Sequence, residues 1–248
     1  MGLAKRIIPT LLIRGDTLVK GRQFASWRSV GHPMTAVKTH QARGVDEIIL
    51  LDIGATPERR GPNCRLIEKL AAECFSTPLT VGGGVRSVQD VRDLLNAGAD
   101  KVAICTAAIE EPRLIKDCAD KFGRQALVGV VDHKGRDAYT RGVKVNKFWT
   151  AMNFARTLVN AGVGELMLTS MEQEGTMLGY DYEVIQEVSK AVDVPVVAHG
   201  GCGDPSHMFA ALYAGASAVA AGAMFQFSEW TPKMCAQALH SSGVEVRL

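Results

Sequence analysis

The sequence predicts one α/β domain that spans residues 1–248 and folds as a (β/α)8 barrel of the TIM type, with a two-fold half-barrel repeat. Three observations support this fold. The 248 residues, 47% of them hydrophobic, can bury one large core, and α/β barrels of this length are commonly a single domain. Short apolar runs rich in β-branched residues alternate with amphipathic segments. Two long stretches of the sequence also resemble each other.

Eight short runs are predicted strands, because they are apolar on both faces, as in a parallel sheet covered by helices. In order, the runs are RIIPTLLI (6–13), DEIILLDI (46–53), PLTVGG (78–83), KVAIC (101–105), ALVGVVD (126–132), ELMLTS (165–170), VPVVAHG (194–200) and AVAAGA (218–223). Apolar residues recur at helical spacing in NCRLIEKLAAECF (63–75), SVQDVRDLLNAG (87–98) and YEVIQEVSKAV (182–192). Eight strand–helix units in this length fit a closed barrel better than an open sheet.

An internal repeat divides the chain into two similar halves. PLTVGGGVRSVQDVRDLLNAGADKVA from Pro78 aligns without a gap with PVVAHGGCGDPSHMFAALYAGASAVA from Pro195, at an offset of 117 residues. GVDEIILLDI from Gly44 lies over GVGELMLTSM from Gly162 at an offset of 118. We infer that half a barrel has been duplicated.

The composition argues against several classes of protein. The formal charge is +2 with acidic and basic residues interspersed, and no Lys/Arg-rich run suggests a nucleic-acid-binding protein. The six cysteines lack paired metal-ligand spacing, so we expect reduced thiols, no metal and no other cofactor. No signal peptide precedes the first strand, and no apolar stretch reaches the roughly 18 residues of a membrane span. We therefore expect a cytoplasmic protein.

Polar residues and glycines follow the predicted strands. The carboxyl ends of barrel strands meet at one face, where active sites lie. The candidates in strand order are Asp52, Gly82, Gly83, Gly84, Thr106, Asp132, Thr169, Ser170, Gly200, Gly201, Gly203, Gly222 and Ala223. Turn formation explains any one glycine-rich loop equally well. Two such loops half a barrel apart favour anion sites made of backbone N–H groups, and so a long phosphorylated small molecule with a phosphate at each end.

Two strand-end carboxylates are candidates for chemistry. Asp132 is the strongest candidate for a general acid or base, because a carboxylate surrounded by apolar walls can have a pKa near neutral. The alternative is that Asp132 only caps the following loop, HKGRDAYTRG. Asp52 could equally orient neighbouring loops.

A long segment and a histidine complete the expected mouth of the barrel. Residues 15–33 are bounded by glycines and carry Lys20, so this segment could close over a ligand as a lid. An ordinary solvated loop is the alternative, although its length makes this less favoured. His199 is expected at the same mouth; a lone histidine is more often structural, and no second metal-binding partner is apparent.

These motifs together resemble a known family. AKRIIP, LLDI, PLTVGGGVRS, AGADKV, TSM-x-x-x-GT-x-x-GYD and GVEVRL are similar, over essentially the whole chain, to the cyclase subunit of imidazole glycerol phosphate synthase. The resemblance implies a lyase-type barrel that partners a separate glutaminase subunit and passes ammonia through its interior. It also implies a two-phosphate ribulose intermediate that is cleaved and cyclised at the mouth.

The resemblance implies roles for residues at the mouth, with departures. Asp132 matches one of two catalytic aspartates, but Leu12 occupies the other position, and leucine cannot transfer a proton. The other replacements are Cys105 for an asparagine, Glu174 for an aspartate, His199 for a serine and Ala223 for a serine that helps hold phosphate. The positions that match substrate- or phosphate-binding residues are Lys20, Asp52, Gly83, Gly84, Cys105, Thr106, Thr169, Glu174, Gly175, Gly200, Gly201, Gly222 and Ala223.

The opposite end of the barrel follows the family pattern. Arg6, Glu47, Lys101 and Glu165 match all four charged residues of a ring proposed to gate ammonia. Asp100 matches an aspartate at the partner interface. Ordinary solvation of strand starts is the alternative, but four charges that close a barrel base are costly unless they are well coupled.

Three hypotheses follow. The leading one is a cyclase-like subunit of a glutamine amidotransferase complex that conducts ammonia for amidination of a surface-polysaccharide sugar, giving an acetamidino group. It rests on a resemblance to paralogues with an IPCLLL-like first strand, and it implies an ATP-dependent amidating enzyme as a further partner. The second is an authentic cyclase of histidine biosynthesis. The third is a catalytically silent barrel that binds a partner.

Overall fold

Strands and helices alternate along the chain, as predicted. The computed structural model describes residues 4–74, 76–111, 113–140, 143–144 and 149–248. The strands are Arg6–Arg14 (β1), Thr17–Arg22 (β2), Ala25–Gly31 (β3), Ile48–Asp52 (β4), Leu79–Gly82 (β5), Lys101–Ile104 (β6), Leu127–Lys134 (β7), Asp137–Thr140 (β8), Val143–Lys144 (β9), Glu165–Ser170 (β10), Val196–His199 (β11) and Ala218–Ala221 (β12). The helices are Pro33–Ala42 (α1), Cys64–Ala71 (α2), Val88–Asn96 (α3), Thr106–Glu110 (α4), Arg113–Phe122 (α5), Ala151–Ala161 (α6), Tyr182–Ala191 (α7), Pro205–Tyr213 (α8), Ala223–Phe227 (α9) and Pro232–Ser241 (α10).

Eight parallel strands close into a barrel. Their order is β10-β11-β12-β1-β4-β5-β6-β7, and β7 pairs back with β10. The strands are apolar on both faces because one face fills the barrel and the other packs against the surrounding helices. The barrel interior contains Ile8, Ile49, Ala103, Val128, Val130, Met167, Val197, Ala218 and Ala220. This closed parallel barrel confirms the predicted fold class.

The two half-barrels have matching strands and helices along the sequence. The predicted offset of 117 residues places β5, α3, β6 and α4 on β11, α8, β12 and α9 with identical bounds. The short helices α4 and α9 follow β6 and β12 directly, so both lie at the carboxyl ends of the strands. The repeat therefore puts one short helix at equivalent positions of the two halves of the mouth.

Helix α3 illustrates how local sequence sets the ends of elements. The Ser87 side chain accepts a hydrogen bond from the Asp90 N–H, and the Asp90 carboxylate accepts bonds from the Ser87 N–H and hydroxyl. This capping box satisfies N–H groups that the first helical turn leaves free. The helix within the predicted segment 63–75 is shorter than that segment, because α2 runs from Cys64 to Ala71. None of the described helices is long and apolar enough to cross a membrane.

Two segments predicted as loops contain hairpins. β2 continues from β1 as an antiparallel partner, with Leu12 opposite Val19, and β3 then pairs with β2. Residues 15–33 therefore form an ordered extension of the first strand. β8 pairs with β7 in the same way, within the predicted loop 133–142; residues 141–142 of that loop lie outside the described residues.

Candidate functional site

A cavity opens at the carboxyl ends of the barrel strands, where the sequence predicts the site. Its volume is about 280 Å³. Many predicted site residues line it, namely Leu12, Asp52, Gly83, Gly84, Cys105, Thr106, Asp132, Thr169, Glu174 and His199. The sequence analysis did not single out Arg14, Phe24, Trp27 or Pro57, which also line it. The two aromatic side chains come from the hairpin of β2 and β3, within the segment 15–33 that the sequence placed at the mouth without indicating which of its side chains line it.

Asp132 lies at the end of β7, and its side chain is part-buried against the cavity. The Cys105 thiol donates to Asp132 Oδ2 at 3.7 Å, and Thr169 is the register partner of Asp132 on β10. Burial raises the pKa of Asp132 to about 7; the Glu174 charge adds to this, and the Cys105 thiol and the Thr169 hydroxyl act against it. No amide of the described loop after β7 donates to this carboxylate. The geometry thus favours the acid–base alternative over loop capping.

Leu12 supplies an apolar wall at the equivalent level of the first strand. Its side chain lines the cavity and is only 4% exposed. It pairs with Val19 on the hairpin and with Leu51 on β4. The position that the family resemblance assigns to an aspartate therefore contributes packing and no proton-transfer group.

Asp52 is held by its own loop. Arg60 Nη1 and Nη2 donate to its two carboxylate oxygens at 2.7 and 2.9 Å. The Gly54 and Ala55 N–H groups donate to Oδ1 at 3.0 and 3.2 Å. With four hydrogen bonds from the segment after β4, Asp52 is occupied in shaping that loop. Of the two sequence alternatives, loop orientation is the one that the geometry favours.

Lys20 occupies a different place from that predicted for a lid residue. It is only 2% exposed, it does not line the cavity, and its ammonium group contacts Glu174, which is equally buried. A Cβ atom on Gly222 would lie 2.6 Å from Lys20 Nζ, so only glycine leaves room for the ammonium group. Burial alone would raise the pKa of Glu174, but the charge and hydrogen bond of Lys20 outweigh it and hold this pKa below its usual range.

His199 joins this buried group at the end of β11. Its Nδ1 atom lies 3.3 Å from Thr169 Oγ1, and its Nε2 atom lies 3.7 Å from Glu174 Oε2. Nε2 has no hydrogen-bond partner among the described residues. Burial lowers the pKa of His199 to about 4, and Lys20 adds to this, so the imidazole is neutral at pH 7.

The hairpin of β2 and β3 packs over the loop that follows β10. The Gln23 N–H donates to the Glu174 carbonyl at 2.7 Å, and Gln23 Nε2 donates to the Glu172 carbonyl at 2.9 Å. Gly175 has φ +74, and a Cβ there would lie 2.3 Å from the Gly21 carbonyl oxygen. Glycine at 175 therefore lets the hairpin approach the mouth closely.

In both half-barrels, close packing of the backbone explains why the loop at the mouth contains glycine. Gly83 has φ +110, and a Cβ there would lie 2.3 Å from the Asp52 carbonyl oxygen. Gly201 has φ +101, and a Cβ there would lie 2.0 Å from the Gly179 carbonyl oxygen. Close packing on a backbone carbonyl group, at the end of β4 for Gly83 and in the loop after β10 for Gly201, accounts for both glycines. Among the predicted anion-site residues, Gly175, Gly200, Gly201, Gly222 and Ala223 do not line the cavity.

Four charged side chains form a ring at the opposite end of the barrel. Arg6 contacts both Glu47 and Glu165. Lys101 Nζ lies 3.0 Å from Glu47 Oε2 and 2.7 Å from Glu165 Oε2. The Thr80 hydroxyl donates to Glu47 Oε1 at 2.6 Å. The four predicted gate residues are thus brought together beneath the apolar interior, and their role as a gate stays a prediction.

Asp100 lies at this same end, directly before β6. It is exposed, and its carboxylate accepts a hydrogen bond from the Leu79 N–H at 2.8 Å. Its contact with a partner stays a prediction. Among the described residues, no group of three or more His, Cys, Asp or Glu side chains is arranged to hold a metal ion.

Comparison with known proteins identifies the family. A family model described as "Histidine biosynthesis protein" matches residues 6–231. This chain belongs to that family. It is 40% identical over 250 residues to the imidazole glycerol phosphate synthase subunit HisF of Thermococcus gammatolerans, and 41% identical over 252 residues to that of Wolinella succinogenes. Each alignment covers 99% of both chains. The resemblance seen in the sequence motifs is confirmed over the whole length.

Three of the residues that the sequence analysis interprets as departures from the family pattern, Cys105, Glu174 and His199, lie together at the mouth. Cys105 contacts Asp132, and His199 lies between Thr169 and Glu174. These three residues therefore belong to one polar group beside Asp132. The sequence located His199 and Cys105 at strand ends, but it could not show that they form one set with Glu174.

Proposed function

We propose that this HisF-like barrel is the ammonia-conducting subunit of a glutamine amidotransferase complex. It receives ammonia from a glutaminase partner at the charged ring and releases it at the mouth to an acceptor other than the histidine-pathway intermediate. Amidination of a surface-polysaccharide sugar to an acetamidino derivative, with an ATP-dependent amidating enzyme, is the acceptor reaction that we favour. The contrast between a complete ring and an altered mouth carries the proposal.

The barrel interior supports conduction of a small neutral molecule. The inward side chains of the barrel interior are apolar and include the small residues Ala103, Ala218 and Ala220. Such a lining disfavours ions, because an unpaired charge in apolar surroundings costs several kcal/mol. Ammonia is small and uncharged, whereas ammonium would be excluded. The ring at the base must shift for ammonia to enter, since Arg6 and Lys101 each hold both carboxylates.

The altered mouth supports a different acceptor. Leu12 provides no proton-transfer group, and Lys20 is engaged by Glu174 in a buried pair. In an amidating complex, transfer of nitrogen to the sugar would be completed by the partner enzyme. The barrel would then need to deliver ammonia and hold part of the acceptor. Leucine at position 12 would not impair either role, because neither requires a proton-transfer group there.

The second candidate is cyclase activity in histidine biosynthesis. The full-length identity of 40–41% with two HisF subunits favours it. Asp132, with its pKa near 7, would then serve as both acid and base. The loss of one of two proton-transfer groups is expected to cost about 10²- to 10⁴-fold in rate.

A direct assay separates the two candidates. The purified barrel is incubated with the ribulosyl aminoimidazole carboxamide ribotide intermediate and ammonium salt at high pH, beside Leu12→Asp. Asp132→Asn in each background is the control that removes the remaining acid–base group. Turnover by the unmodified barrel would make it a histidine-pathway cyclase and contradict the altered acceptor. No turnover by the unmodified barrel, with activity gained in Leu12→Asp, would mean that binding persists and one proton-transfer group is lost.

The conduit itself is tested through the glutaminase. A tagged full-length barrel is used to isolate its glutaminase partner, and glutamine hydrolysis is measured with and without the barrel. We expect stimulation by the wild type and by Lys116→Met, whose ion pair lies on an exposed helix surface. The proposal would be contradicted if no glutaminase co-purifies, or if the rate of glutamine hydrolysis is the same with and without the barrel. Stimulation without any transfer of nitrogen would instead favour a catalytically silent partner.

A further inference from the structure

Two aromatic side chains of the β2–β3 hairpin line the cavity at the mouth. Phe24 lies in the turn of the hairpin and Trp27 lies on β3, and both are partly exposed. Neither ring packs against the hydrophobic core clusters of the barrel. An aromatic face in a concave site gains free energy when a ligand covers it. The mouth therefore has an aromatic wall, formed by Phe24 and Trp27, that is available to a ligand.

The docked hairpin holds this wall at the cavity. A Cβ atom on Gly21 would lie 2.7 Å from Trp27 Cε3 and 2.9 Å from Cζ3, so glycine at 21 leaves room for the indole to lie against the hairpin. Phe24 has φ +60, a conformation that bulky residues rarely adopt. Its neighbour Gln23 donates two hydrogen bonds to the loop after β10, which fixes this turn. Both rings are therefore positioned by contacts outside their own side chains.

A cation lies at the same cavity, where β1 meets the hairpin. Arg14 ends β1, pairs in register with Thr17 and lines the cavity. A Cβ atom on Gly54 would lie 3.0 Å from Arg14 Cγ, so the arginine side chain lies against the loop after β4. Arg14 forms no salt bridge with the described residues, whereas Glu174 is paired with Lys20. Because a guanidinium group binds phosphoryl oxygens with two parallel hydrogen bonds, Arg14 can hold an anionic group of a ligand.

The cavity extends over one half of the internal repeat and is filled by protein in the other. The offset of 117 residues pairs Gly83 with Gly200, Gly84 with Gly201, Cys105 with Gly222 and Thr106 with Ala223. The first member of each pair lines the cavity, and the second does not. Lys20 Nζ occupies the space over Gly222, where a Cβ atom would lie 2.6 Å from it, and Glu174 holds it there. The cavity therefore has room for a ligand with one anionic end and not for one with an anionic group at each end.

The polar groups of the cavity favour a ring that carries hydroxyl groups. Thr56, Thr106 and Asp132 line the cavity, whereas no asparagine or glutamine of the described chain does. Amide side chains typically pair with the edges of nucleobases, while hydroxyl and carboxylate groups suit the single hydroxyls of a sugar. The volume of about 280 Å³ lies at the lower limit of small-molecule sites, so the cavity holds about one ring.

We propose that the mouth binds a sugar that carries one phosphoryl group, with the sugar ring stacked on Trp27 and the phosphoryl group bound by Arg14. This inference rests on the proposed function and specifies its acceptor as a glycosyl phosphate, either free or as the sugar end of a nucleotide-activated sugar. The aromatic wall covers the C–H face of the ring, and the hydroxyls meet the polar groups of the cavity. Any nucleotide part lies outside the cavity, because the volume is filled by the sugar.

The test is isothermal titration calorimetry of the full-length protein with glucose 1-phosphate. We expect binding that Trp27→Ala and Arg14→Met each weaken about 10-fold, because one loses the stacking face and the other the charge-assisted hydrogen bonds. Trp27→Phe keeps an aromatic face and should retain most of the affinity, and Lys116→Met, on an exposed helix surface, should retain all of it. Glucose 1,6-bisphosphate should bind no more tightly than glucose 1-phosphate. The ligand should also change the tryptophan fluorescence of the wild type and not that of Trp27→Phe.

Three results would overturn the proposal. The first is no binding of glucose 1-phosphate up to about 10 mM, or an affinity that Trp27→Ala leaves unchanged. The second is tighter binding of glucose 1,6-bisphosphate, which would show that the mouth accepts two phosphoryl groups. The third is tighter binding of uridine monophosphate than of glucose 1-phosphate, which would assign the aromatic wall to a nucleobase.

The titrations need neither glutaminase nor ammonia, so their failure is distinguishable from failure of the proposed function. Stimulation of glutamine hydrolysis by a barrel that does not bind glucose 1-phosphate would refute this site and leave the ammonia conduit intact. Binding of glucose 1-phosphate by a barrel that does not stimulate the glutaminase would support the site and contradict the conduit.

Discussion

Replacing Lys101 by methionine tests how strongly the charged ring is coupled. The change removes one of two cations and keeps the length of the side chain. Arg6 is then the one remaining cation of the ring for Glu47 and Glu165, whose side chains are only 3% and 8% exposed. Breaking a buried ion pair costs about 3–5 kcal/mol, but Lys101 is 22% exposed and Arg6 still contacts both carboxylates. We therefore expect a loss of about 2–3 kcal/mol in the free energy of unfolding at pH 7.

The pH dependence of this loss is specific to the ring. Burial alone would raise the pKa of Glu165, but the hydrogen bonds and charges of Arg6 and Lys101 hold it below its usual range. A lowered carboxyl pKa stabilises the fold above the unfolded value of about 4.5, and this stability is lost as the pH falls through the folded value. In Lys101→Met the pKa of Glu165 rises. The difference between variant and wild type should therefore shrink as the pH falls below about 4.5.

The assay is urea unfolding followed by circular dichroism at several pH values. Lys116→Met is the matched control, because its pair with Asp120 has both side chains more than half exposed. Such surface pairs contribute at most about 1 kcal/mol. If Lys101→Met costs no more than Lys116→Met, or if its cost is the same at every pH, the ring is not a coupled buried network and this reasoning is wrong.

Three further variants test other parts of the structure. Lys20→Met should cost about 3–5 kcal/mol by urea unfolding, because Glu174 is left buried without a countercharge, and Lys20→Met/Glu174→Leu should recover much of it. Burial lowers the pKa of His40 to about 4, so the fold disfavours the protonated imidazole. The wild type therefore loses free energy of unfolding as the pH falls below about 6.5, the unfolded pKa. Relative to His40→Gln, this loss should reach up to about 3 kcal/mol by about pH 4. Gly201→Ala should lower the melting temperature clearly, since its Cβ would lie 2.0 Å from a carbonyl oxygen, whereas Gly61→Ala meets nothing closer than 3.8 Å and should be nearly neutral.

The barrel was predictable because its signals are local and repeated. The eight strands are buried on both faces, so each reads as a short apolar run, and the offset of 117 residues fixes the bounds of four elements in each half. The β2–β3 hairpin was not predicted, because its turn has no glycine or asparagine. Gln23 and Phe24 adopt φ values of +52 and +60, and hydrogen bonds from Gln23 to the loop after β10 hold that turn. A turn fixed by a distant loop leaves little trace in the local sequence.

The location of the candidate site was predictable from the sequence, whereas the hydrogen-bond and ion-pair partners of its side chains were less so. The strand-end rule placed Asp132, Thr169 and His199 at the mouth, where they lie. The partners of Asp52 and Lys20 were not predictable, because both are determined by how loops and the hairpin pack on the barrel. Side-chain type and strand position thus identify the groups at a mouth, whereas the tertiary packing of loops decides which of them remain free for a ligand.

Electrostatics explains why the departures at the mouth belong together. Asp132 already has its pKa raised by burial and by the Glu174 charge. A further carboxylate at position 12, on the wall of the same cavity, would raise this pKa again and favour the protonated form of Asp132 at neutral pH. Leucine at this position avoids that repulsion. The neutral imidazole of His199 adds no negative charge either, so the side chains at positions 12 and 199 are physically compatible with a buried Asp132 in one cavity.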